Sequence, residues 1–302
     1  MLTIIIPSYN HRNYILDCVQ AALAVNVPGR KIIVIDDGST DGTDRLVENF
    51  ISNAKRLDIV LIRKSNSGLV SSLNLGLRLA NTEYFYLVAS DDIPKPSGIQ
   101  SCIEELRSHP DCAFCIGGGE IFYEDRSERK GLYGERQEKF LMLEETRRLK
   151  AMFLDYPSPI LLQSCIFRLK SLVEVGGWDP EIMLDDYSMF IKLLTRYPKN
   201  GIDFIFRPDF HVVGYRQHGH NNFKNITRQF VMVKQVIVSL APSKLKAKAE
   251  GKALAGYLLS SLRAANYDTV KEILKLSSVS AKIFVLPFLI KIIASKIYRR
   301  LL

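Results

Sequence analysis

Four short apolar segments stand out when hydrophobic and polar positions are followed along the first part of the chain. Each is an uninterrupted run rich in aliphatic residues, without the alternation expected of a strand that has one face in water. Runs of this length and composition are typical of strands that are buried on both faces. The pattern therefore predicts strands over residues 2–6, 31–35, 58–62 and 84–89.

The segments between these runs have apolar residues three and four positions apart, which is the spacing of one helix face. They predict helices over residues 14–23, 43–51 and 70–79. Strands that alternate with helices indicate an α/β fold with a mostly parallel sheet flanked by helices on both sides.

The chain beyond these elements is less regular. Residues 124–139 are dense in charge, contain two glycines and lack apolar periodicity, which favours a mobile loop or a solvated linker. The pattern on either side predicts, in order, a strand over residues 111–123, a helix over 143–155, a strand over 158–168, and a turn followed by an amphipathic helix within 176–197.

A polar, turn-forming cluster follows each of the first four predicted strands. In an open α/β sheet, ligands bind outside the carboxyl ends of the strands. The turn at residues 27–30, at the opposite edge, has no comparable concentration of carboxylates and amides. The sequence therefore predicts a binding site at one edge of the sheet, formed by residues 7–10, 36–42, 64–68 and 90–92.

Cysteine usage indicates a reducing compartment. The five cysteines are an odd number and lie within apolar segments, which argues against a disulfide framework and favours the cytoplasm. Cys112 and Cys115 form a C-x-x-C with no second pair to complete a zinc site, so we interpret them as buried structural thiols. The sequence predicts neither a signal peptide nor a transmembrane span, because it has no basic leader and no uncharged run of sufficient length.

The net charge of +9 is concentrated at the end of the chain. Residues 241–302 hold 12 Lys and Arg against 3 Asp and Glu, whereas the preceding residues balance at 29 against 29. Residues 281–302 mix basic residues with Ile, Leu and Phe, which favours an amphipathic segment on an anionic membrane face. The alternative is a helix that packs on the domain. The neutral body has no recognition motif for nucleic acid, so no nucleic-acid partner is expected.

Several of the strand-end residues have side chains suited to ligand chemistry. The adjacent Asp91 and Asp92 suit a divalent metal, a catalytic base or a simple turn. Asp36 comes directly off the second strand, where it would accept a hydrogen bond from a base or ribose. Asn66 and Gly68 lie at the start of a helix, where they form either an anion site or a polar cap. The chain lacks both G-x-G-x-x-G and a Walker lysine pattern, so the standard dinucleotide and P-loop interpretations fail.

A second acidic pair, Asp185 and Asp186, occupies the first turn of the amphipathic helix. Acidic residues in a first helical turn ordinarily stabilise the helix through its dipole. The alternative is functional: with two acidic pairs in one domain, one pair would hold a cation and the other would accept a proton. Further on, His218 and His220 lie beside Arg216 in a basic loop that would reach a metal or a diphosphate.

Taken together and in this order, six motifs resemble the family-2 glycosyltransferases of the GT-A fold. The resemblance covers about residues 2–222 and rests on the combination of the six motifs, not on any one of them. It implies a nucleotide-sugar-binding α/β domain that transfers a sugar with inversion and uses Mg²⁺ or Mn²⁺. The motifs are IIIPSYN, VIDDGSTDGT, NSGLVSSLNLG, ASDDI, GGWDPEIMLDDYSMFIKL and YRQHGHN.

The same resemblance implies roles for individual residues. Pro7, Tyr9 and Asp36 would form the nucleoside pocket, with Asp36 facing the base, and Asn66 and Gly68 would form the segment that flanks it. A carboxylate must take the proton of the acceptor hydroxyl as it attacks the anomeric carbon. The remaining implied residues are Asp91, Asp92 and His218 at the metal and diphosphate, Asp186 as the base with Asp185 as its less favoured neighbour, and Trp178 lining the donor–acceptor pocket.

The chain departs from the family pattern at two places. Many relatives have an aspartate where this chain has Ala89, so a full D-x-D motif is absent. Mg²⁺ needs few protein ligands, because water and phosphates complete its octahedron, so the expected result is weaker metal retention. The chain also lacks the Q-x-x-R-W element of processive synthases, which indicates one sugar per encounter.

These inferences define one domain with an appendage. We expect a GT-A domain over residues 1–235 and a helical basic tail over 236–302 that places the protein on the inner membrane face. A UDP-sugar is the expected donor and a glycan or lipid-linked molecule the acceptor, in bacterial surface polysaccharide assembly. A sugar nucleotidylyltransferase would need a Gly- and Arg-rich loop after the first strand, which PSYNHRNY is not. The remaining alternative is a noncatalytic nucleotide-sugar or membrane-binding module with a degraded metal site.

Overall fold

The computed structural model of the protein describes residues 1–218 and 225–301, with side chains in the last helix described up to residue 294. The strands and helices predicted within residues 2–89 are all present. The strands, numbered β1 to β9, are Leu2–Ser8, Lys31–Asp36, Ile59–Arg63, Tyr84–Leu87, Ile93–Pro94, Phe114–Tyr123, Arg129–Gly131, Cys165–Arg168 and Phe204–Gln217. The helices, numbered α1 to α13, are Ile15–Leu23, Thr43–Asn53, Leu69–Leu79, Pro96–Ser108, Glu135–Leu141, Glu145–Leu154, Leu169–Glu174, Asp185–Arg196, Ile226–Leu240, Ser243–Arg263, Tyr267–Leu276, Val279–Lys282 and Val285–Leu301.

The strands form one sheet in the order β3-β2-β1-β4-β8-β6-β9-β5, with β7 paired to β6. The first four strands are parallel, whereas β8 is antiparallel to both β4 and β6. The register sets Ser8 opposite Asp36 and Asp36 opposite Arg63, so β1, β2 and β3 end at the same level. The polar segments that follow these strands therefore begin at one edge of the sheet.

Both faces of the sheet are covered, as the uninterrupted apolar runs predict. Ile5 and Ile33 belong to one buried cluster, and their chain neighbours Ile4, Ile32 and Val34 belong to another. Successive side chains of a strand point to opposite faces. Helices pack on both sides, and the α/β architecture expected from the sequence is confirmed.

The charged segment over residues 124–139 is not a loop throughout, and the linker interpretation is wrong for the half of it that forms a strand and a helix. Its middle forms β7, which pairs antiparallel with β6. It ends in α5, a helix of 7 residues that buries Phe140 and Leu141 in the core. Two helical turns are too short to show apolar periodicity, which is why the pattern did not reveal them.

Two other differences lie in the second half of the sheet. The predicted strand over residues 158–168 forms only as β8, after a 3₁₀ turn over Leu162–Ser164. The pattern did not identify β9 because Pro208 and Asp209 interrupt its apolar residues, and its pairing with β6 is irregular beside Gly118. Backbone pairing with β6 holds this strand in the sheet despite the interruption.

The C-terminal helices pack on the domain. Helix α9 runs across position 235, and Val236 and Ile237 are buried in the main core together with Ala249 of α10. Helix α10 lies so close to α12 that a Cβ on Gly251 would be 2.5 Å from the Ala281 carbonyl oxygen. Within residues 1–218 and 225–301, no helix combines the length and hydropathy needed to cross a bilayer.

The five cysteines all lie in the described chain as buried free thiols. Burial raises the pKa of Cys112 to about 11, so this thiol is protonated at neutral pH. This agrees with a structural interpretation of the C-x-x-C pair.

Candidate active site

The loops after β1 and β2 are joined by their own side chains. The Asn10 backbone N donates to Ser39 Oγ at 2.9 Å, and the Thr40 N donates to Asn10 Oδ1 at 2.8 Å. Asn10 has a φ of 54°, a left-handed conformation that asparagine tolerates better than most residues. The two loops therefore form one unit at the strand-end edge of the sheet.

Asp36 provides a buried acceptor in this unit. It is 3% exposed, and its Oδ2 accepts a hydrogen bond from the Ser39 backbone N at 2.9 Å. Its Oδ1 is buried and has no hydrogen-bond partner in the described chain. A buried unpaired acceptor is unfavourable unless a ligand satisfies it. Nearby on β1 and its loop, Pro7 is buried and Tyr9 is 47% exposed.

Asp37 holds the loop after β3, a role that the sequence did not reveal. Its Oδ1 accepts from the Ser67 backbone N at 2.9 Å and its Oδ2 from the Gly68 N at 2.8 Å. It also forms an ion pair with Lys64. These contacts fix Asn66 and Gly68 beside the loop after β2, so the predicted nucleoside-pocket residues lie on adjoining loops.

Asp91 lies among aromatic and imidazole rings. Its Oδ2 is 3.0 Å from His218 Nε2, and its Oδ1 is 4.0 Å from His11 Nδ1. The Tyr14 ring stacks on His218 with centroids 4.9 Å apart. The pKa of His11 is lowered by burial, although the charge of Asp91 acts in the opposite direction. The structure thus brings His218 to Asp91 although the two residues are 127 positions apart in sequence.

The environment of Asp92 differs from that expected of a metal ligand. It is 1% exposed; its Oδ1 accepts from the Arg216 backbone N at 2.8 Å and its Oδ2 from Gln163 Nε2 at 3.0 Å. Burial, followed by the charge of Asp91, raises its pKa well above the usual range. Because both oxygens are engaged inside the protein, Asp92 acts here as an internal brace.

Arg216 connects the end of β9 to this corner. Its Nε donates to the Asp91 carbonyl oxygen at 2.8 Å, and its Nη2 lies 3.1 Å from Asp17 Oδ2. The guanidinium lies over the Tyr14 and Phe122 rings, 5.1 and 5.0 Å from their centroids. This arginine fixes the backbone of the turn that contains Asp91.

Asp186 is presented by the first turn of α8 and is partly buried. Its Oδ1 accepts from the Leu162 backbone N at 2.8 Å, and its Oδ2 has no hydrogen-bond partner in the described chain. Burial, followed by the charge of Asp185, raises the pKa of Asp186 well above the usual range. A carboxylate with one free oxygen and a raised pKa is suited to accept a proton near neutral pH.

The two acidic pairs lie in one region, because both influence Tyr215 on β9. Burial, followed by the effect of nearby charges that include Asp92, Asp186 and Asp91, raises the pKa of Tyr215 to about 12. Asp92 in turn contributes to the raised pKa of Asp186. The two acidic pairs, almost a hundred positions apart in sequence, therefore lie close enough to influence each other.

Trp178, which the resemblance expects to line the donor–acceptor pocket, is buried in the core. It is 2% exposed and belongs to the main buried cluster. Asn74 holds its backbone on both sides: Nδ2 donates to the Trp178 carbonyl at 2.7 Å, and the Trp178 N donates to Oδ1 at 2.9 Å. The indole Nε1 is buried without a hydrogen-bond partner in the described chain.

Residues 1–218 and 225–301 contain no group of three or more His, Cys, Asp and Glu side chains arranged to hold a metal ion. A smaller donor set is present at Asp91, whose carboxylate is 14% exposed and adjoins the imidazole of His218. One or two carboxylates with substrate phosphates are sufficient for Mg²⁺, so this donor set fits a cation that arrives with a diphosphate. His220 and the rest of its loop lie outside the described residues.

Sequence reasoning missed the residues that support this site. Asp37 and Tyr14 lie in segments that it had marked as a strand end and a helix, His11 lies between two such segments, and Gln163 reaches the site from a distant element. The position of His11 directly after PSYN was an available signal, because it places an imidazole at the predicted ligand edge. Nothing in the spacing pointed to Gln163.

Comparison with known proteins identifies the class. The profile of Glycosyl transferase family 2 matches residues 3–175, and the chain belongs to this family. It is 34% identical over 107 residues to the chondroitin synthase of Escherichia coli, a match covering 35% of this chain and 15% of that protein. It is 30% identical over 107 residues to the glycosyltransferase GlyG of Streptococcus pneumoniae, covering 35% of each. The matched region is thus well under two thirds of either relative.

Solved structures show the same fold over most of the chain. S. aureus TarS 1–349 in complex with UDP-GlcNAc has a TM-score of 0.60, 14% identity, and coverage of 90% of both chains. The mannosyltransferase PcManGT from Pyrobaculum calidifontis, in complex with GDP-Man and Mn²⁺, has a TM-score of 0.55 and 18% identity, and the match covers 96% of this chain and 84% of that one. The GT-A fold expected from the sequence is confirmed.

Proposed function

We propose that the chain transfers one sugar, with inversion, from a nucleoside diphosphate sugar to an acceptor hydroxyl. The observation that carries this proposal is Asp186, a carboxylate with a raised pKa and a free Oδ2 in the same region as the strand-end loops. It takes the proton of the acceptor hydroxyl as that oxygen attacks the anomeric carbon from the face opposite the diphosphate. Asp185 serves as its electrostatic neighbour.

The nucleoside pocket that we propose lies on the interlocked loops after β1, β2 and β3. The unpaired Oδ1 of Asp36 accepts an N–H of the base. Pro7 and the half-exposed Tyr9 line the same side of the pocket, and Asn66 and Gly68 close it from the loop after β3. Trp178 supports the pocket from the core.

The diphosphate lies beside Asp91 and His218 in this proposal, and Asp92 keeps the turn in place. Asp91 offers its carboxylate oxygens and His218 its imidazole to a divalent cation, for which Mg²⁺ and Mn²⁺ are the candidates. A cation held there would supply stabilisation of the negative charge that develops on the leaving diphosphate. Arg216 and Gln163 act as positioning residues.

The donor that we propose is a UDP-sugar, supported by the UDP-GlcNAc complex of the similarly folded TarS. The resemblance to a chondroitin synthase supports a glycan or lipid-linked acceptor in the assembly of a bacterial surface polysaccharide. The catalytic role of Asp186 distinguishes this proposal from a noncatalytic nucleotide-sugar module, which would bind the donor without turnover.

We also propose that the tail, residues 236–302, lies on an anionic membrane surface on the cytoplasmic side. Ile283, Leu286 and Ile290 at its end are 73%, 66% and 60% exposed, although α13 packs on α10 through its other side. Lys282 and Lys291 are exposed beside them. Exposed aliphatic side chains flanked by lysines suit the boundary between lipid headgroups and acyl chains.

The test combines donor binding with turnover. A thermal-shift screen of UDP, GDP, dTDP and CMP identifies the nucleotide, and transfer or slow hydrolysis of the matching sugar is then measured with Mn²⁺. Asp186→Asn should lower turnover by about 10²- to 10⁴-fold, because general-base catalysis contributes that much, while nucleotide binding persists. The exposed Asp209→Asn is the matched control. Stabilisation by none of the nucleotides would sink the donor site, and normal turnover in Asp186→Asn would refute the assigned base.

A further inference from the structure

The two acidic pairs are joined by the 3₁₀ turn in front of β8 and the residue before it, here called the bridging turn (residues 161–164). The Leu162 backbone N donates to Asp186 Oδ1 at 2.8 Å. The next residue, Gln163, donates from its side-chain Nε2 to Asp92 Oδ2 at 3.0 Å. Leu162 is fully buried and Gln163 is 9% exposed. Two consecutive residues therefore connect the proposed base to the corner of the site that Asp92 braces.

The hydroxyl group of Tyr133 closes the bridging turn from a distant segment of the chain. It accepts a hydrogen bond from the Leu161 backbone N at 3.0 Å and lies 2.7 Å from Ser164 Oγ. Ser164 Oγ donates to the Leu161 carbonyl oxygen at 2.8 Å, so the Tyr133 O–H donates to Ser164 Oγ. These groups form a closed ring of hydrogen bonds that links the two ends of the bridging turn.

Tyr133 is held in place by contacts other than those of its hydroxyl group. It lies between β7 and α5, and the Leu132 N beside it donates to the Gly119 carbonyl oxygen at 2.9 Å. The Tyr133 and Phe206 rings have their centroids 6.3 Å apart, and Tyr133 packs against both buried clusters of the sheet. The backbone and ring therefore place Tyr133, and its hydroxyl group is available to fix the bridging turn.

We propose that Tyr133 is a positioning residue for sugar transfer. Its hydroxyl group holds the bridging turn, and the turn directs the Leu162 N–H at Asp186 and the Gln163 amide at Asp92. Tyr133 thus acts on the base through the turn. The inference rests on the proposed function, because it requires Asp186 to be the base.

Loss of the Tyr133 hydroxyl group should affect turnover more than nucleotide binding. The loops of the proposed nucleoside pocket are joined by hydrogen bonds of their own, so the Kd for UDP should stay near the wild-type value. The base, in contrast, depends on the Leu162 N–H. Because a misplacement of about 1 Å at a reacting group costs up to about 100-fold, kcat should fall by about 10- to 100-fold.

The pH profile supplies a measurement that a purely structural loss would not move. Burial and the charges of Asp185 and Asp92 raise the pKa of Asp186, whereas the Leu162 N–H lowers it, because this hydrogen bond favours the carboxylate. Weakening that bond should raise the pKa of Asp186 further and move the acidic limb of the kcat/KM profile to higher pH. Burial raises the pKa of each neutral group that interacts with Asp186, so these groups keep their protons; they are Tyr133, Tyr156, Cys165 and Tyr215.

The experiment compares Tyr133→Phe with the wild type in thermal unfolding, UDP titration and turnover across a range of pH. Turnover is measured with Mn²⁺ and the nucleotide sugar that the thermal-shift screen identifies. Ser164→Ala breaks the same ring of hydrogen bonds and should have the same effect, and the double variant should add little, since both changes act through one turn. Tyr197→Phe is the matched control: it removes a hydroxyl group that donates to Glu174, beyond the other end of α8, and should keep the wild-type kcat and acidic limb.

The outcomes separate failure of this inference from failure of the proposed function. If Tyr133→Phe loses only thermal stability, with wild-type kcat per UDP-binding site and an unmoved acidic limb, the inference is wrong and the proposed function stands. A fall in kcat with an unmoved limb would show that Tyr133 does not act through Leu162, which also overturns it. If Tyr133→Phe does not fold, Ser164→Ala decides by the same measurements. Normal turnover in Asp186→Asn would instead refute the base itself.

Discussion

Asp91 and Asp92 are adjacent in sequence but have different surroundings. Asp91 is partly exposed next to two imidazoles, whereas Asp92 is buried and accepts hydrogen bonds from Gln163 and the Arg216 backbone. At the scale of single residues, this separates a carboxylate that is accessible to a ligand from one that is hydrogen-bonded inside the fold.

Asp92→Ala should therefore lower the free energy of unfolding by about 1–3 kcal/mol, because it leaves buried donors on Gln163 and Arg216 unpaired. Asp91→Ala should change stability much less and instead weaken UDP and Mn²⁺ binding. Urea unfolding of both variants, with nucleotide titrations of the folded proteins, measures the two effects. A stable Asp92→Ala would contradict the bracing role.

The pH dependence of the reaction should follow Asp186. The base acts in its ionised form, and burial together with the charge of Asp185 raises its pKa. Activity should fall as the pH drops through this raised pKa, above the value of about 4 for an ordinary aspartate. Asp185→Asn removes the neighbouring negative charge, so the acidic limb of the kcat/KM profile should move to lower pH. An unchanged or upward-shifted limb would contradict the assignment.

At the scale of elements, the site depends on how closely the strand-end loops approach one another. Gly38 follows β2 with a φ of +74°, and a Cβ there would be 2.9 Å from the Asn66 backbone N. Asp37 holds the same two loops together through the Ser67 and Gly68 N–H groups. The position of the loop after β3 is therefore set by backbone contacts with the loop after β2.

Gly38→Ala should destabilise the fold by about 1–3 kcal/mol, because an alanine is strained in this conformation and displaces the loop that contains Asn66. UDP binding should weaken as well. Gly256→Ala is the matched control, since a Cβ there meets nothing within 4 Å and alanine is the better helix former by up to about 1 kcal/mol. Thermal unfolding and UDP titration compare the two, and equal behaviour would contradict the close-approach argument.

At the scale of the whole molecule, the C-terminal helices pack on the domain and also present exposed apolar side chains. Glu250 of α10, which is 5% exposed, accepts hydrogen bonds from the Ser278 N at 2.7 Å and the Ser278 Oγ at 2.9 Å. This fixes the connection before α12. The apolar side chains beyond it remain exposed in a fixed position relative to the domain.

Leu286→Glu combined with Ile290→Glu should reduce binding to vesicles that contain phosphatidylglycerol by about tenfold or more, because it removes apolar contact and adds negative charge. Val173→Glu, at a position 58% exposed on α7 and outside the tail, is the control and should bind as the wild type does. Sedimentation with vesicles at low and high salt measures this. Equal sedimentation of both variants would contradict membrane docking by this face.

Local patterns in the sequence were enough for the first half of the sheet. Continuous apolar runs identified β1 to β4 because a strand buried on both faces has no polar positions to interrupt it. Where an element is short, as α5 is, or is held by pairing despite a proline, as β9 is, the local pattern is weak. These elements were therefore missed or mistaken for a loop.

The sequence by itself determined the α/β alternation, the family, and the chemistry gathered at one sheet edge, because all three depend on residue types in short consecutive segments. Only the tertiary structure decided which carboxylates are open and which are internal. The tertiary structure leaves Asp91 partly exposed and Asp92 buried, places Asp186 near them and brings His11 and His218 to the same carboxylate. It depends on contacts between residues far apart in the chain, which local patterns do not encode.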